Sequence, residues 1–576
     1  MGIYNDQVND MIERGVLVEI AKEEDESYGG PVYYVSHHDV RKPHSSSTPL
    51  RIVINSSLRY QGLSPNDVWI QAPNQLNDMW GILIRFRDHK IALVGDIKKM
   101  YNTIHTTSTE RHMRRVLWRF GKREEEFKTF GIDRVMFGDR PAAAITSIAI
   151  RETAEIYKNI DEIAAQKIKE DTYVDDITTG ADGQSEISVL KNSMKSILGK
   201  AGLEVHEFVQ SGGNSEEALS LLGSGGVSRV LGTCWNPSSD EFSVTVKINV
   251  SKKYRGARTE EDYTMEDIPK LMGIALTRRI IQGIVYSCFD VFGLVAPITI
   301  QMKIELRNLF RKDLNLTWDD PVPEEIKKIW IQILQKVKSV EQIRFQRCVK
   351  PDGPVVGKPD LIVCNDASKE AMCATAHVRW KFEDGSAQCF LYAAKTRVAP
   401  LQKESIPRLE MQSAVMGARL RRSITMNTTL DFKEITHVLD SKCTLAILHR
   451  ETISLKEFMG NRASEVQKKS NIEEWVYTAS KENIADLGTR KDASVEDVSE
   501  QSEWQNGKAW MRLPKEKWPV SKDFSGQEIP TEELISKGIV AFASSIDNVI
   551  EVYDIERFIG RSYQFLVNVT ARIKRC

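Results

Sequence analysis

The sequence predicts a multidomain chain that mixes α+β and α/β units, on three observations. Its length of 576 residues exceeds what one hydrophobic core organises. Short apolar runs end in aspartate at "IALVGDI" (91–97), "LIVCNDAS" (361–368) and "ITHVLDSK" (435–442), the pattern of buried strands with a carboxylate at the tip. From 361 to about 490 the order is three strands, helix, strand, helix, which is an α/β unit.

Along the chain, "DQVNDMIERGVLVEI" (6–20) reads as a helix, and "PVYYVSHHDV" and "LRIVINSS" as strands around the basic loop "RKPHSSST" (41–48). The strand ending in Asp96 follows, then the hairpin "TYVDDITTG". Ile187, Leu190, Met194, Ile197 and Leu198 recur at helical spacing and predict an amphipathic helix over 185–200. A Gly/Ser-rich patch at 211–226 separates this unit from a mainly helical stretch at 260–345, and turn-rich residues 350–360 lead into the α/β unit. Residues 491–530 are polar with tryptophans, and 545–575 read as a last helix.

Hydrophobic content of 41% and charged content of 28% fit a globular protein. Net charge is -1, so a nucleic-acid binder must concentrate its basic residues locally, as "RHMRRVLWRFGKR" and Lys395, Arg397, Lys403 and Arg408 do. Eight cysteines without CxxC or CxxC…HxxxH spacing argue against zinc and disulfides and for a reducing compartment. No apolar run has membrane-spanning length, "MGIYNDQVND" is no secretory leader, and Asp6 stands where myristoylation needs Ser or Thr. The expectation is a soluble chain with no membrane partner, cytoplasmic, with a virus-like particle or the nucleus as other settings.

The chemistry lies in two sets of acids. Asp175 and Asp176 are adjacent in a hairpin, and Asp96 ends another strand. A lone pair of aspartates is more often a solvated turn. If the strands are neighbours, however, three carboxylates meet, and they need divalent cations to offset their repulsion. Oxygen ligands without Cys or His favour Mg²⁺, and two such ions suit in-line phosphoryl transfer. The second set is Asp366, Glu410, Asp440 and Asp486, on strand, helix, strand and helix. Ile406, Leu409, Met416 and Leu420 give the Glu410 helix its apolar face, and Ser441 is available to cap the helix after Asp440. Each of these acids alone is more often a cap or a surface charge.

Together, "YVDD" and Asp96 resemble the catalytic motifs of reverse transcriptases. "LRIVINSS", "IALVGDIKKMY", "VMFGDRPAAA", "AGLEVHEF" and "VLGTCWNP" follow in the order of retroelement polymerase motifs. "FDVFGLVAPITI", "TWDDPVP", "AAKTRVAPLQKESIPRLEMQSA" and "NIADLGTR" are similar to strings of the BEL/Pao family of long-terminal-repeat retrotransposons, and the likeness covers roughly residues 1–525.

The resemblance implies a right-hand polymerase followed by a helical connection and a ribonuclease H-like α/β domain. Residues 1–225 would be fingers and palm, 226–350 primer grip, thumb and connection, 351–495 the ribonuclease H-like domain, and 496–576 a linker toward an integrase. It implies that Asp96 and Asp175 bind both metals with Asp176 in support. Tyr101 would be the gate against a 2′-OH, and Arg51 the triphosphate grip, for which its planar fork is suited. Phe137 and Gly138 would form the nucleotide-binding loop. Leu231 and Gly232 would form the primer grip, where close approach to a strand needs Gly. Asp366, Glu410, Asp440 and Asp486 would hold the second metal pair and direct a water at an RNA phosphodiester. Each site would take two Mg²⁺, with Mn²⁺ as substitute. The implied partners are RNA template, DNA primer, RNA–DNA hybrid and deoxynucleoside triphosphates, and a homodimer is open.

Three positions depart from the family pattern. Glu207 stands where a lysine is usual, with His206 beside it as a substitute; Asn55 replaces a common Asp; Leu439 replaces the Thr of a Thr-Asp-Ser triplet. No protease triad, zinc knuckle or integrase core accompanies these motifs, so the expectation is a section of a longer polyprotein, truncated or a genomic remnant. The leading reading is an RNA-directed DNA polymerase with attached ribonuclease H. The alternative is a non-catalytic nucleic-acid-binding remnant. A protein-interaction scaffold explains neither acidic set.

Overall fold

The structure, a computed structural model, describes residues 2–41, 50–121, 126–213, 228–251, 253–254, 257–258, 262–524, 527 and 529–534. The basic loop after Arg41, all but three residues of the 211–226 patch and the 545–575 helix lie outside the described residues.

The first helix spans Gly2–Glu13 and stops short of the expected residue 20. Gly15 takes φ 66°, which reverses the chain, and Leu17–Glu19 becomes a strand antiparallel to Lys128–Ile132. The apolar run Val16–Leu17 thus serves a sheet rather than a helix face. Ser36–Arg41 and Leu50–Asn55 form an antiparallel ribbon in the register Ser36↔Asn55.

The four-stranded sheet that carries the first acids has the order Thr172–Tyr173, Asp176–Ala181, Ile91–Asp96, Val209–Gln210. Its alternation covers both faces. Leu93 joins a core with Ile168, Ile177, Ile187 and Met194, made by helices Glu162–Asp171 and Gln184–Gly199. Ala92 joins a different core with Ile82 and Phe86 of helix Met79–Asp88. The helix expected at 185–200 is thus found with the five expected residues buried.

Helices Arg278–Val285, Ala296–Asn308 and Glu324–Ser339 fill the stretch expected to be helical. A six-stranded sheet follows, in the order Ala387–Val398, Ala371–Lys381, Asp360–Ala367, Ile435–Leu439, Trp475–Thr478, Val520–Ser521. The strand pairs Asp360–Ala367 with Ile435–Leu439, and Ile435–Leu439 with Trp475–Thr478, are parallel. The 22-residue helix Ile406–Asn427 lies across this sheet, with Leu409 and Leu420 buried and Ile406 exposed. A Cβ at Gly417 would come within 1.7 Å of Asn365 Oδ1, so glycine is what admits the helix to the Asp366 strand. Trp504, Trp510 and Trp518 of the polar stretch are buried, the last just before the sixth strand.

One hydrophobic core runs from Phe86 through Trp235, Phe242, Phe292 and Trp330 to Val363, Tyr392 and Trp504. Arg87 crosses it, donating from Nε to the Arg347 carbonyl (2.9 Å) and from Nη1 to the Tyr392 carbonyl (2.6 Å). The Arg347 guanidinium in turn grips Asp240 at 2.6 and 2.7 Å.

Much of the local basic charge finds partners within the fold, against the sequence expectation, with Arg114 and Arg115 buried, Arg408 half-buried and Lys395 exposed. Buried Arg114 pairs with Asp139 at 2.8 Å, Arg115 pairs with Asp25, and Arg408 pairs with Glu533 at 2.5 Å. Lys395 donates to the Val291 carbonyl and lies over the Trp80 ring. A guanidinium at a buried position needs a partner, and the fold supplies carboxylates for these.

Candidate active sites

The first site is a turn laid against a strand end. Tyr173 and Asp176 face each other across the hairpin, so Val174 and Asp175 form a two-residue loop. Such loops need positive φ, and Val174 supplies it at φ 58°. A β-branched residue there is strained by about 1–3 kcal/mol, so the surrounding contacts must hold it. One is visible: the Ile97 amide donates to the Asp175 carbonyl at 2.9 Å, tying the loop to the Asp96 strand. Asp96 and Asp176 are direct partners in the ladder.

The three aspartates therefore converge, with one carboxylate oxygen from each within 4.8 Å of the others. Burial, then the charge of Asp175, raises Asp96 to about 6, while the Arg51 charge opposes the rise. Burial, then Asp175 and Asp96, raises Asp176 to about 7. These are carboxylates short of positive charge.

Around them, the Tyr101 ring is nearly buried and lies 4.5 Å from the ring of half-exposed Phe137. Gly138 takes φ 100°, and a Cβ there would approach the Ile54 carbonyl at 3.1 Å. Asn55 uses its Oδ1 to accept from the Ser57 amide, a turn role that Asp would fill equally. Leu231 and Gly232 form the two-residue loop between Val230 and Thr233, with φ 47° and 90°. Positive φ at both positions is what this tight hairpin demands, so the turn itself accounts for the glycine.

Glu207 does not enter the site. Its carboxylate is bound by Lys195 Nζ at 2.7 Å. His206 does face it, with Nε2 3.7 Å from Asp96 Oδ2 and its backbone amide on the Asp96 carbonyl at 2.8 Å. Burial, then Lys98, holds the His206 imidazole below its ordinary range, so at neutral pH it is uncharged.

The second site joins two adjacent parallel strands and the long helix. Asp366, Glu410 and Asp440 each place a carboxylate oxygen within 4.8 Å of the others. Burial, then Asp440, raises Asp366 to about 7, and burial, then Asp366 and Asp440, raises Glu410 to about 9. Glu410 Oε2 is buried with no hydrogen-bond partner among the described residues. A buried carboxyl oxygen without a donor is what a divalent cation would satisfy in place of the proton, and the all-oxygen donor set suits Mg²⁺.

Asp486 lies outside this grouping. It sits on the short 3₁₀ turn Ile484–Thr489, and its carboxylate pairs with Arg490. Its charge still reaches Asp366. Two contributors escaped the sequence reading: Thr489 donates to Asp366 Oδ2 at 2.5 Å, and the Asn483 side-chain amide donates to the Asn365 carbonyl at 2.8 Å. Both lie within the quoted "NIADLGTR" string (483–490), which was the available signal. As expected, Ser441 caps the helix after Asp440, accepting from the Thr444 amide.

The family model described as Pao retrotransposon-like RNaseH-like domain matches residues 277–441, a span that contains Asp366, Glu410 and Asp440. A foamy viral protease-reverse transcriptase dRH in complex with dsDNA aligns with a TM-score of 0.50 at 14% identity, over 82% of this chain and 68% of that one. The foamy viral protease-reverse transcriptase in complex with an RNA/DNA hybrid aligns with a TM-score of 0.46 at 12% identity, over 82% and 52%. No curated protein matches. At this identity the solved structures speak for the fold. Residues 277–441 thus match the Pao retrotransposon-like RNaseH-like model, and the chain shares its fold with the foamy viral protease-reverse transcriptase.

Proposed function

We propose that the chain is an RNA-directed DNA polymerase with an attached ribonuclease H, each activity centred on one acidic cluster. The observation that carries this reading is the pair of clusters, each with three converging carboxylates, where Asp96 and Asp176 in the first and Asp366 and Glu410 in the second have a raised affinity for protons. On this reading residues 1–225 are fingers and palm, 226–350 primer grip, thumb and connection, and 351–495 the ribonuclease H-like domain.

Asp96, Asp175 and Asp176 would hold Mg²⁺ in the first site, and Asp366, Glu410 and Asp440 in the second. Bound there, the ions supply Lewis-acid activation of the attacking oxygen and charge stabilisation of the leaving group. The protein's own groups do the placing. Tyr101, backed by Phe137, forms the wall that a deoxyribose clears and a ribose 2′-OH meets. Exposed Arg51, whose charge is felt at Asp96, is available to grip a triphosphate. The Leu231–Gly232 turn presents backbone to a primer strand. Thr489 holds Asp366 in orientation through its hydroxyl.

A non-catalytic remnant is favoured by one feature: neither Glu207 nor neutral His206 brings a cation to the first cluster. Primer extension on an RNA template, and cleavage of RNA in a hybrid, separate the readings. With Mg²⁺ the wild-type chain should do both. Asp175→Asn should lose only synthesis, and Asp440→Asn only cleavage. A folded wild-type chain that binds hybrid and turns over in neither assay would establish the remnant instead.

A further inference from the structure

An open cleft of about 570 Å³ lies at the same end of the six-stranded sheet as the second acidic cluster and is used by nothing described above. One wall is the connection helix, through Arg307 and Phe310; the other is the strand end at Arg397–Leu401, with Gln412 and Arg462 at the margin. It sits at the Asp366 end of the sheet. Met372, which lines it, pairs with Ala367, the residue after Asp366. Gln412 is two residues beyond Glu410 on the same helix.

The lining has the chemistry of a phosphate and base binder. Arg307 is fixed as a brace: it donates to the carbonyls of Glu370 (3.0 Å) and Ala399 (2.9 Å) and pairs with the Glu370 carboxylate. Lys491 also reaches Glu370, at 3.2 Å, so that acid is fully compensated. Arg462 lies 3.5 Å over the Phe458 ring and donates to the Phe458 carbonyl at 3.1 Å. Arg397 is exposed, and its guanidinium has no hydrogen bond or ion pair among the described residues. The opposing acid is Glu404, which accepts from Gln412 Nε2 at 3.0 Å. Phe310 is 39% exposed and Leu401 46%, so part of an aromatic ring, packed edge-on by Trp318 at 5.6 Å, and an apolar edge line the same cleft as the free guanidinium. Arg278 stacks 4.9 Å over the Phe310 ring and fixes it.

We propose that this cleft holds one strand of nucleic acid as it passes the second cluster, with a phosphate on Arg397 and a base on Phe310. The inference rests on the ribonuclease H reading of that cluster. The volume is within the range of pockets that enclose a ligand of nucleotide size, and an unpaired guanidinium beside an open aromatic ring is the pairing that single strands use.

The test is binding without turnover. The full chain is titrated in Ca²⁺ against fluorescent hybrid, single-stranded RNA and single-stranded DNA, each across a salt series. Arg397→Gln should weaken binding about tenfold and lower the slope of log affinity against log salt by about one phosphate contact. Phe310→Ala should weaken binding about tenfold with the slope unchanged, because stacking releases no counterion. Glu404→Gln should tighten binding. Lys158→Gln, on a distant helix end, is the control, and thermal melts verify folding. A loss confined to RNA or to DNA probes identifies the bound strand. Unchanged affinity and slope in Arg397→Gln on all three probes would overturn the proposal. The two readings fail separately: a chain that cleaves hybrid yet ignores Arg397→Gln keeps its function and loses the cleft. A chain that cleaves nothing yet responds to Arg397→Gln keeps the cleft as a binding site.

Discussion

The Tyr392 hydroxyl donates to the Asp88 carboxylate, across 304 residues of sequence. Asp88 ends the helix that backs the first acidic site, and Tyr392 lies on a strand of the RNase H-like sheet. The same carboxylate accepts from the Thr428 hydroxyl (2.9 Å), the Thr429 amide (2.7 Å) and the Thr429 hydroxyl (3.0 Å), at the end of the helix that begins near Glu410. Burial drives the Asp88 pKa up, and the Tyr392 and Thr428 hydroxyls, the Thr429 amide and the His89 charge oppose that rise. The two sites are thus joined by a buried polar knot inside a shared core, as well as by the connecting helices.

Tyr392→Phe tests the knot with almost no change in volume. It leaves Asp88 buried with one donor fewer, which should cost about 1–3 kcal/mol. Because the core is shared, both sites should unfold in one transition that moves as a whole. Thermal unfolding followed by tryptophan fluorescence and calorimetry checks this. Two separate transitions, only one of them shifted, would show that the domains fold independently.

The raised carboxylates make a signed prediction about pH. Asp96 at about 6, Asp176 and Asp366 at about 7 and Glu410 at about 9 all stand above ordinary unfolded values near 4. Between pH 4 and 9 these four groups hold more protons in the folded state than in the unfolded one, and their contribution to metal-free stability falls as pH rises; above pH 6.5, where the buried neutral His377 and His437 no longer oppose it, that fall governs the profile. Divalent ions compete with those protons, so their binding strengthens over the same window. The shift in melting temperature produced by Mg²⁺ should be larger at pH 8 than at pH 6. Glu410→Gln should flatten the upper part of the metal-free profile. A metal-free protein whose stability rises from pH 6 to 8 would contradict the burial of these groups.

Glu207 marks where a departure in sequence is absorbed by geometry. Its partner Lys195 lies on the amphipathic helix, and Glu207 is largely exposed. Glu207→Lys would set two ammonium groups together rather than deliver one to the first site. Single-nucleotide incorporation should stay within about twofold, and stability should fall by no more than about 1 kcal/mol, as for a surface pair. A variant that incorporates many times faster would mean that the side chain reaches the leaving group.

What the sequence discloses here is what local pattern encodes. Asp96 and Asp366 stand out because apolar runs end on them, and the 185–200 helix because five residues repeat with its period. Gly15 and the strand Leu17–Glu19 were obscured because a short apolar run reads as helix or strand alike. Asp88, Tyr392 and Thr429 carry no local mark. An aspartate ending a helix and a tyrosine in a strand are ordinary until the fold brings them together. The basic residues were misleading for the same reason, since Arg114 and Arg408 find their acids, Asp139 and Glu533, far along the chain.

Asp486 gives the last prediction. Family resemblance makes it a fourth ligand, yet three carboxylates converge without it and Arg490 occupies its own. If the second site works as grouped, Asp486 acts from the edge, through its charge on Asp366 and through its carbonyl, which lies 2.9 Å from the Thr489 hydroxyl that serves Asp366. Asp440→Asn removes one of three converged oxygens and should abolish hybrid cleavage. Asp486→Asn keeps that carbonyl and should lower cleavage by about tenfold, or 1.4 kcal/mol, with most of the loss recovered at higher Mg²⁺. Arg490→Gln releases the Asp486 carboxylate and should tighten Mg²⁺ binding at this site, read by titrating cleavage rate against Mg²⁺ and by the Mg²⁺-dependent melting shift. If Asp486→Asn is as inactive as Asp440→Asn at every Mg²⁺ concentration, the fourth carboxylate is an obligatory ligand, and Arg490 must leave it before cleavage begins.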